Sequence, residues 1–236
     1  MQHFDVLIVG GGHGGANCAV QLRAQGFAGS IGIAGEEPEL PYERPPLSKD
    51  FLSGDKSFDR MLLRPEAFWA DRTVTMLKGT RITGIDAAAH SVTTEAGATI
   101  GYGDLVWAAG GHPRKLACDG ADLAGIHAIR TRADVEALKA ELPGASRIVV
   151  IGGGYIGLEA AAVLVKTGKQ VTILEAMDRV LARVAGPDLS HFYEAEHRAH
   201  GVDIRTGCQV ERILGRDGRA VAVALADGSA LPADLV

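Results

Sequence analysis

Two stretches decide the reading of this chain. They are Phe4-Asp5-Val6-Leu7-Ile8-Val9-Gly10-Gly11-Gly12-His13-Gly14-Gly15 and Arg147-Ile148-Val149-Val150-Ile151-Gly152-Gly153-Gly154-Tyr155-Ile156-Gly157. Each is a short, β-branched apolar run that breaks abruptly into glycines. After the first, Ala16–Ala24 has helical texture, Gly26 stops it, and Ser30–Ala34 reads as a second strand. After the second, Leu158–Lys166 is helical, Gly168 stops it, and Gln170–Leu174 is the next strand. Strands alternating with helices imply a parallel sheet covered on both faces. The copies lie much further apart than the ~20–50-residue period of a solenoid, so one unit is duplicated.

In Gly10-x-Gly12-x-x-Gly15 the first glycine makes a tight turn. The second lets backbone N–H groups approach a pyrophosphate, and the third lets helix and strand pack closely. A helix N-terminus carries about half a positive charge, so a diphosphate is favoured there. Glu36, just past the second strand, is placed to accept hydrogen bonds from ribose hydroxyls. Gly152-x-Gly154-x-x-Gly157 and Glu175 repeat the arrangement. A carboxylate at Glu175 would accept from the 2′-hydroxyl of NADH and repel the 2′-phosphate of NADPH. Ala176-Met177-Asp178 supply no cation before Arg179, so NADH is the expected nucleotide.

Composition narrows the classes further. The 236 residues include 31 glycines, about twice the usual ~7%, and 5% aromatics, too few for a base-stacking surface. A net charge of −5 argues against a nucleic-acid partner, because phosphate binding needs a cationic surplus. Cys18, Cys118 and Cys208 are scattered, which removes a zinc ribbon, a disulfide framework and a dithiol redox centre. The apolar N-terminus lacks a basic flank and carries Asp5, so it is not read as a signal peptide. No apolar run approaches ~18 residues, and the expectation is a soluble, cytoplasmic protein without a membrane partner.

Between the copies, Thr73–Leu77, Arg81–Asp86, His90–Thr94 and Thr99–Tyr102 alternate as a short antiparallel β-meander. Asp104–Ala109 is a separate buried strand, and Thr131–Leu142 a helix. The predicted fold class is α/β, two Rossmann-like dinucleotide-binding units with the meander inserted, divided into domains 1–113 and 114–236. Beyond Glu175, Pro187–His200 reads as helix and Val202–Thr206, Gln209–Leu214 and Ala220–Ala226 as strands. Ala233–Val236 opens a further strand.

Pro41-Tyr42-Glu43-Arg44-Pro45-Pro46-Leu47-Ser48-Lys49-Asp50-Phe51-Leu52 is more specific than any glycine turn. With the two fingerprints and Trp107-Ala108-Ala109-Gly110-Gly111-His112-Pro113-Arg114, it resembles the FAD-dependent ferredoxin reductases of oxygenase systems. The resemblance runs from Phe4 to Val236 and implies a glutathione-reductase-like architecture with two dinucleotides. It implies that domain 1–113 binds FAD and domain 114–236 binds NADH. Gly10, Gly12, Gly14 and Gly15 would then cradle the FAD pyrophosphate and Glu36 its adenosine ribose. Arg44, Pro45 and Lys49 would flank the ring system, and Ile82, Ala109, Gly110 and Arg130 would line the flavin site. Gly152, Gly154, Tyr155, Ile156, Gly157 and Glu175 would hold NADH. Lys49 and Glu159 would pair beside the flavin as the catalytic residues. Read without the resemblance, Lys49 is a solvated loop lysine and Glu159 a first-turn glutamate on the helix dipole.

The implied activity is a flavoprotein oxidoreductase that passes electrons from NADH through FAD to a [2Fe–2S] ferredoxin. Rubredoxin or monodehydroascorbate reduction is an alternative, and so is a truncated, non-catalytic nucleotide-binding module. Three departures from the family stand out. Ala109 replaces a usual threonine, and His13 an apolar residue; His13 either contacts a phosphate or sits exposed. The family's third glycine strand, its Ala-x-Gly-Asp motif and its C-terminal domain lie beyond the pattern seen here. Glu194, His197 and His200 read as a solvated helix face rather than metal ligands. Cys18, Trp69 and Trp107 read as packing, and His90, His112 and His127 as isolated.

Overall fold

The computed structural model describes all residues from Met1 to Val236, which form two compact units. Residues 1–44 and 58–112 make the first, and 45–57 with 113–236 the second. The segment Pro45–Ser57 thus precedes most of the first unit in the chain yet packs within the second.

The first unit opens with β1 (Gln2–Val9), α1 (His13–Ala24) and β2 (Ile31–Ala34). The helix starts earlier than the apolar pattern suggests, because Ala16 N already donates to the carbonyl of Gly12, its N-cap. It stops at Gly26, whose φ of +84° lets Gly26 N and Phe27 N donate back to Arg23 O and Leu22 O. After α2 (Asp50–Ser53), which belongs to the second unit, come α3 (Glu66–Asp71), β3 (Val74–Leu77), β4 (Ile82–Asp86), β5 (Ser91–Thr94) and β6 (Thr99–Trp107). The sheet order is β3-β2-β1-β6-β5-β4.

Two expectations are corrected here. Val74–Leu77 is no part of the meander: it runs parallel to β2, pairing Ile31 with Val74 through Ala34 with Leu77. Thr99–Tyr102 and Asp104–Ala109 are one strand, β6, antiparallel to β5 at its start and parallel to β1 along its length. Gly103 disguises this continuity. It stands opposite Asp5 in the ladder, where a Cβ would lie 2.7 Å from Asp5 O, so no side chain fits. One face of β1 and β2 packs Val6, Ile8, Ile31 and Ile33 against Ala16, Ala19 and Trp69. The other packs Leu7, Val9 and Ala34 with Val92, Ile100 and Tyr102. Trp69 is core as expected, but Trp107, at the tip of β6, is 56% exposed and packs nothing away.

The second unit contains α2, α4 (Arg132–Glu141), β7 (Arg147–Ile151), α5 (Tyr155–Lys166), β8 (Gln170–Leu174), α6 (Pro187–Ala199) and β9 (Asp203–Arg205). The strands β10 (Val210–Arg216), β11 (Arg219–Leu225) and β12 (Ala230–Pro232) complete it. Thr131 caps α4 in a reciprocal box with Asp134. Gly168, at φ +82°, ends α5 as Gly26 ends α1. Strands β7, β8 and β9 are parallel, β10, β11 and β12 antiparallel, and Leu235 lies parallel to β7 at Ile148. Each unit therefore runs from three parallel strands into an antiparallel hairpin that returns beside the first strand. Duplication covers the meander as well as the glycine turn. The return strands even share Asp104-Leu105-Val106 and Asp234-Leu235-Val236.

The helix α6 does not present a solvated face at Glu194 and His197. Glu194 is buried, accepting from Val180 N and Arg198, and the His197 ring nitrogens face Tyr193 O and Leu158 O. His127 is also not isolated: its Nε2 lies 3.3 Å from Glu141 Oε1, and burial pushes its pKa down.

Two outcomes follow from this packing. A Cβ at Gly15 would sit 2.0 Å from Gly10 O, and one at Gly157 2.1 Å from Gly152 O. Alanine at either position is expected to cost about 1–3 kcal/mol by overpacking, read by denaturant unfolding; an unchanged midpoint would refute the close packing. Asp234 accepts from Ser146 N, Arg147 N and the Arg147 guanidinium, which hold its carboxyl far below the ordinary value of 3.8. A depressed folded-state pKa gives stability that is full above the unfolded value and is lost as pH falls toward the folded one. Asp234→Asn should cost about 1–3 kcal/mol at pH 7, with the gap to wild type closing below about pH 4.

Candidate functional site

In the first unit the chain leaves β1 at Gly10, whose N–H donates to Ala34 O at 2.8 Å. Its φ is +119°, and a Cβ there would strike Ala108 O at 2.1 Å, so the turn accepts glycine alone. Gly12 caps α1, and nothing lies within 4 Å of the place its side chain would take. No acid stands in the first turn of α1. The turn is thus closed behind, at Gly10 and Gly15, and open in front, where the helix N–H groups point. An open, uncontested helix N-terminus suits a phosphate. Gly14 is exposed on the same turn, and His13 is the exposed first residue of α1.

Glu36 lies just beyond β2, half exposed, with Arg81 Nε at 3.8 Å and His112 Nε2 at 3.6 Å. Arg44 is anchored rather than waving: its Nη2 donates to Glu37 Oε1 at 2.5 Å and its Nη1 to the Tyr42 hydroxyl at 3.1 Å. Tyr42 in turn donates to Glu37 Oε2 at 2.5 Å, and the guanidinium lies 5.1 Å from its ring centre. Glu37, which sequence reasoning passed over for its neighbour Glu36, is the hub of that group. Ile82 packs partly buried against the core, while Ala109 and Gly110 are exposed beyond β6.

The second unit repeats the cradle. Gly152 has φ +110° and donates to Leu174 O at 2.8 Å, and the space around a Gly154 side chain is empty. Tyr155 and Ile156 open α5 with exposed side chains. Glu175 behaves differently from Glu36. Its Oε2 accepts from Gly153 N at 2.7 Å and its Oε1 from Met177 N at 2.9 Å. Each carboxylate oxygen keeps a second lone pair, so ribose hydroxyls could still donate to it. The Arg179 guanidinium is taken up by Ala182 O, Ala185 O and Ser190 Oγ. Arg130 is half-buried ahead of α4, its backbone N–H held by Asp134.

Lys49 and Glu159, far apart in sequence but in one unit, meet. Lys49 Nζ lies 2.9 Å from Glu159 Oε1, and Ser48 Oγ donates to Glu159 Oε2 at 2.6 Å. Glu159 is the fifth residue of α5, so it is not a first-turn glutamate on the helix dipole, and Lys49 is not simply solvated. The segment is clamped from the other side by Lys139. Its Nζ donates to Phe51 O at 3.0 Å and sits 4.8 Å from the Phe51 ring centre. Pro45 is exposed at the head of this segment. Ser48 is buried and Lys139 remote in sequence. Neither carried a signal of its own, although Ser48 lies inside the quoted motif.

Comparison with known proteins agrees with this geometry. Over 99% of its length the chain is 57% identical to ferredoxin–NAD(P)(+) reductase of a Sphingomonas species, covering 56% of that protein. It is equally 57% identical to the 5,5′-dehydrodivanillate O-demethylase ferredoxin reductase subunit of Sphingobium, covering 58% of it. Among solved structures, the covalent putidaredoxin reductase–putidaredoxin complex superposes with a TM-score of 0.93 at 39% identity. That match spans the whole chain and 57% of the other. The chain thus spans about half the length of the curated relatives it matches. Residues 4–236 match the family model for pyridine nucleotide-disulphide oxidoreductases, and the chain belongs to that family.

Proposed function

We propose that this chain is the nucleotide-binding part of a flavoprotein that takes electrons from NADH and delivers them to a [2Fe–2S] ferredoxin serving an oxygenase. The observation that carries the reading is the pairing of Lys49 with Glu159 at 2.9 Å within the unit that holds the second open glycine turn. The names of the relatives support the acceptor: two are ferredoxin reductases, and the third is a reductase captured with putidaredoxin.

FAD, when bound, would supply a two-electron acceptor for the hydride of NADH and a one-electron donor to the ferredoxin. The chain's own residues do the rest. Gly10, Gly12, Gly14 and Gly15 would hold the FAD pyrophosphate on α1, and Glu36 its ribose. Arg44 with Pro45, and Ile82, Ala109, Gly110 and Arg130, would flank its rings. Gly152, Gly154, Tyr155, Ile156, Gly157 and Glu175 would hold NADH. Lys49 Nζ is held 2.9 Å from Glu159 Oε1. That fixed ammonium would stabilise negative charge developing on the acceptor during hydride transfer. Ser48 fixes the Glu159 carboxylate that faces the ammonium, and Lys139 ties down Phe51 on the same segment, so little reorganisation is needed at the moment of reaction.

No helix is long and apolar enough to cross a membrane. We place the protein in the cytoplasm, where NADH is made and spent.

The test is a visible spectrum of the purified chain with FAD, followed by anaerobic NADH. Oxidised-flavin bands should bleach on NADH addition, and Lys49→Met should slow the bleaching by about ten- to a hundredfold with the fold intact by circular dichroism. Bound flavin that NADH leaves oxidised would overturn the reading. A second expected outcome concerns the cradle: Gly154→Ala, which meets no protein atom, should fold normally yet weaken NADH binding by about tenfold or more. An unaltered affinity would mean that the nucleotide does not approach this turn.

A further inference from the structure

Glu175 does more in this structure than wait for a ribose. Its two oxygens each accept a backbone N–H, from Gly153 on one side and Met177 on the other. Gly153 is the middle residue of the glycine turn, and Met177 begins the loop that leads to Arg179. The same loop returns to the turn: Leu181 N donates to Gly153 O at 2.9 Å, and the Val180 side chain occupies the space beside Gly153. A carboxylate therefore ties the glycine turn to the 177–181 loop. Only a group with two acceptor oxygens can do this. A glutamine in that place turns an NH2 toward one of the two N–H donors, whichever way its amide is flipped.

The charge around the site has a second element. A 2′-phosphate placed where the ribose hydroxyls would meet Glu175 needs a cation. Arg179, the first one after Glu175, spends its guanidinium on Ala182 O, Ala185 O and Ser190 Oγ, the last of which is fully buried. Releasing it would leave three acceptors behind.

We propose that Glu175 is the organising residue of the second glycine turn, and that the site enforces NADH over NADPH through this turn as a whole. Removing the negative charge at 175 therefore does not open the site to the 2′-phosphate; it loosens the turn that either nucleotide needs. The inference rests on the reading of this turn as the NADH site. Its structural half stands without any nucleotide.

Three measurements on the purified chain test it: the nucleotide-free unfolding midpoint, amide exchange at Gly153 and Met177, and titration with NADH and NADPH. Glu175→Gln should lower the nucleotide-free midpoint by at least about 2 °C and expose at least one of the two amides to exchange. It should weaken NADH binding by about tenfold or more with no gain for NADPH. Glu175→Asp keeps the charge but is a methylene short of spanning both donors. It should lose protection at one amide while still rejecting NADPH, and it carries the test should the glutamine variant not fold. A residue that served only as a ligand contact would leave the nucleotide-free midpoint and both amides unchanged. That result, or a Glu175→Gln chain that takes NADPH as tightly as wild type takes NADH, would overturn the proposal. A wild-type chain that bound no NADH would sink the functional reading instead, and the two nucleotide-free measurements would still decide the role of Glu175.

Discussion

In each unit a helix begins directly on the backbone of the strand before it, with only a hydrogen atom between them. At Gly15 and Gly157 the carbonyl of the first glycine occupies the space a side chain would need. This contact fixes where α1 and α5 start and where their unpaired N–H groups point. The open space before Gly12 and Gly154 exists because the turn is folded so tightly behind them. The positions of Glu36, Glu175 and Glu159 are then consequences, set by strands and helices that the contact locks together.

The two copies are nonetheless not interchangeable. Gly10 N donates to Ala34 O, and Gly152 N to Leu174 O, so the residue after each acceptor occupies the same place. In the second unit that residue is Glu175; in the first it is Gly35. Gly35 brings its backbone alongside Gly11, and the acid moves one position on, to Glu36. There it lies beside the Arg81 guanidinium and the His112 imidazole, and not backbone donors. One turn is held by a carboxylate, the other by the bare meeting of two backbones.

Much of this was legible in the sequence, and the reason is physical. Glycine turns, helix stops at Gly26 and Gly168, and the helix that begins at Thr131 are local, and local conformational preference leaves its mark on neighbouring residues. Lys49 and Glu159 could be named because a motif larger than one turn surrounds the lysine. What stayed hidden depends on pairing across long separations. Val74–Leu77 has the same alternation whether it joins a meander or a parallel sheet, so pattern alone cannot choose its partner. Gly103 breaks the apolar run of β6 without breaking the strand. Glu37 and Ser48 are ordinary polar residues until Arg44 and Glu159 are brought to them. Trp107 reads as core by its chemistry, and only its place at a strand tip exposes it.

The assignment of Pro45–Ser57 to the second unit has a consequence for how the chain comes off the ribosome. Leu47, Phe51 and Leu52, all buried in the finished fold, emerge about a hundred residues before α5, to which Ser48 and Lys49 are tied. For that interval the segment is an unsatisfied loop on a growing first unit. The second unit is completed only by reaching back for it. A single cut at residue 113 therefore yields no pair of self-sufficient halves. The downstream piece lacks Lys49, and the upstream piece carries an apolar strap with nothing to cover it. Gene fission or domain exchange at the apparent border would separate the lysine from its glutamate. Selection for the Lys49–Glu159 pair thus keeps two units with repeated topology on one continuous polypeptide.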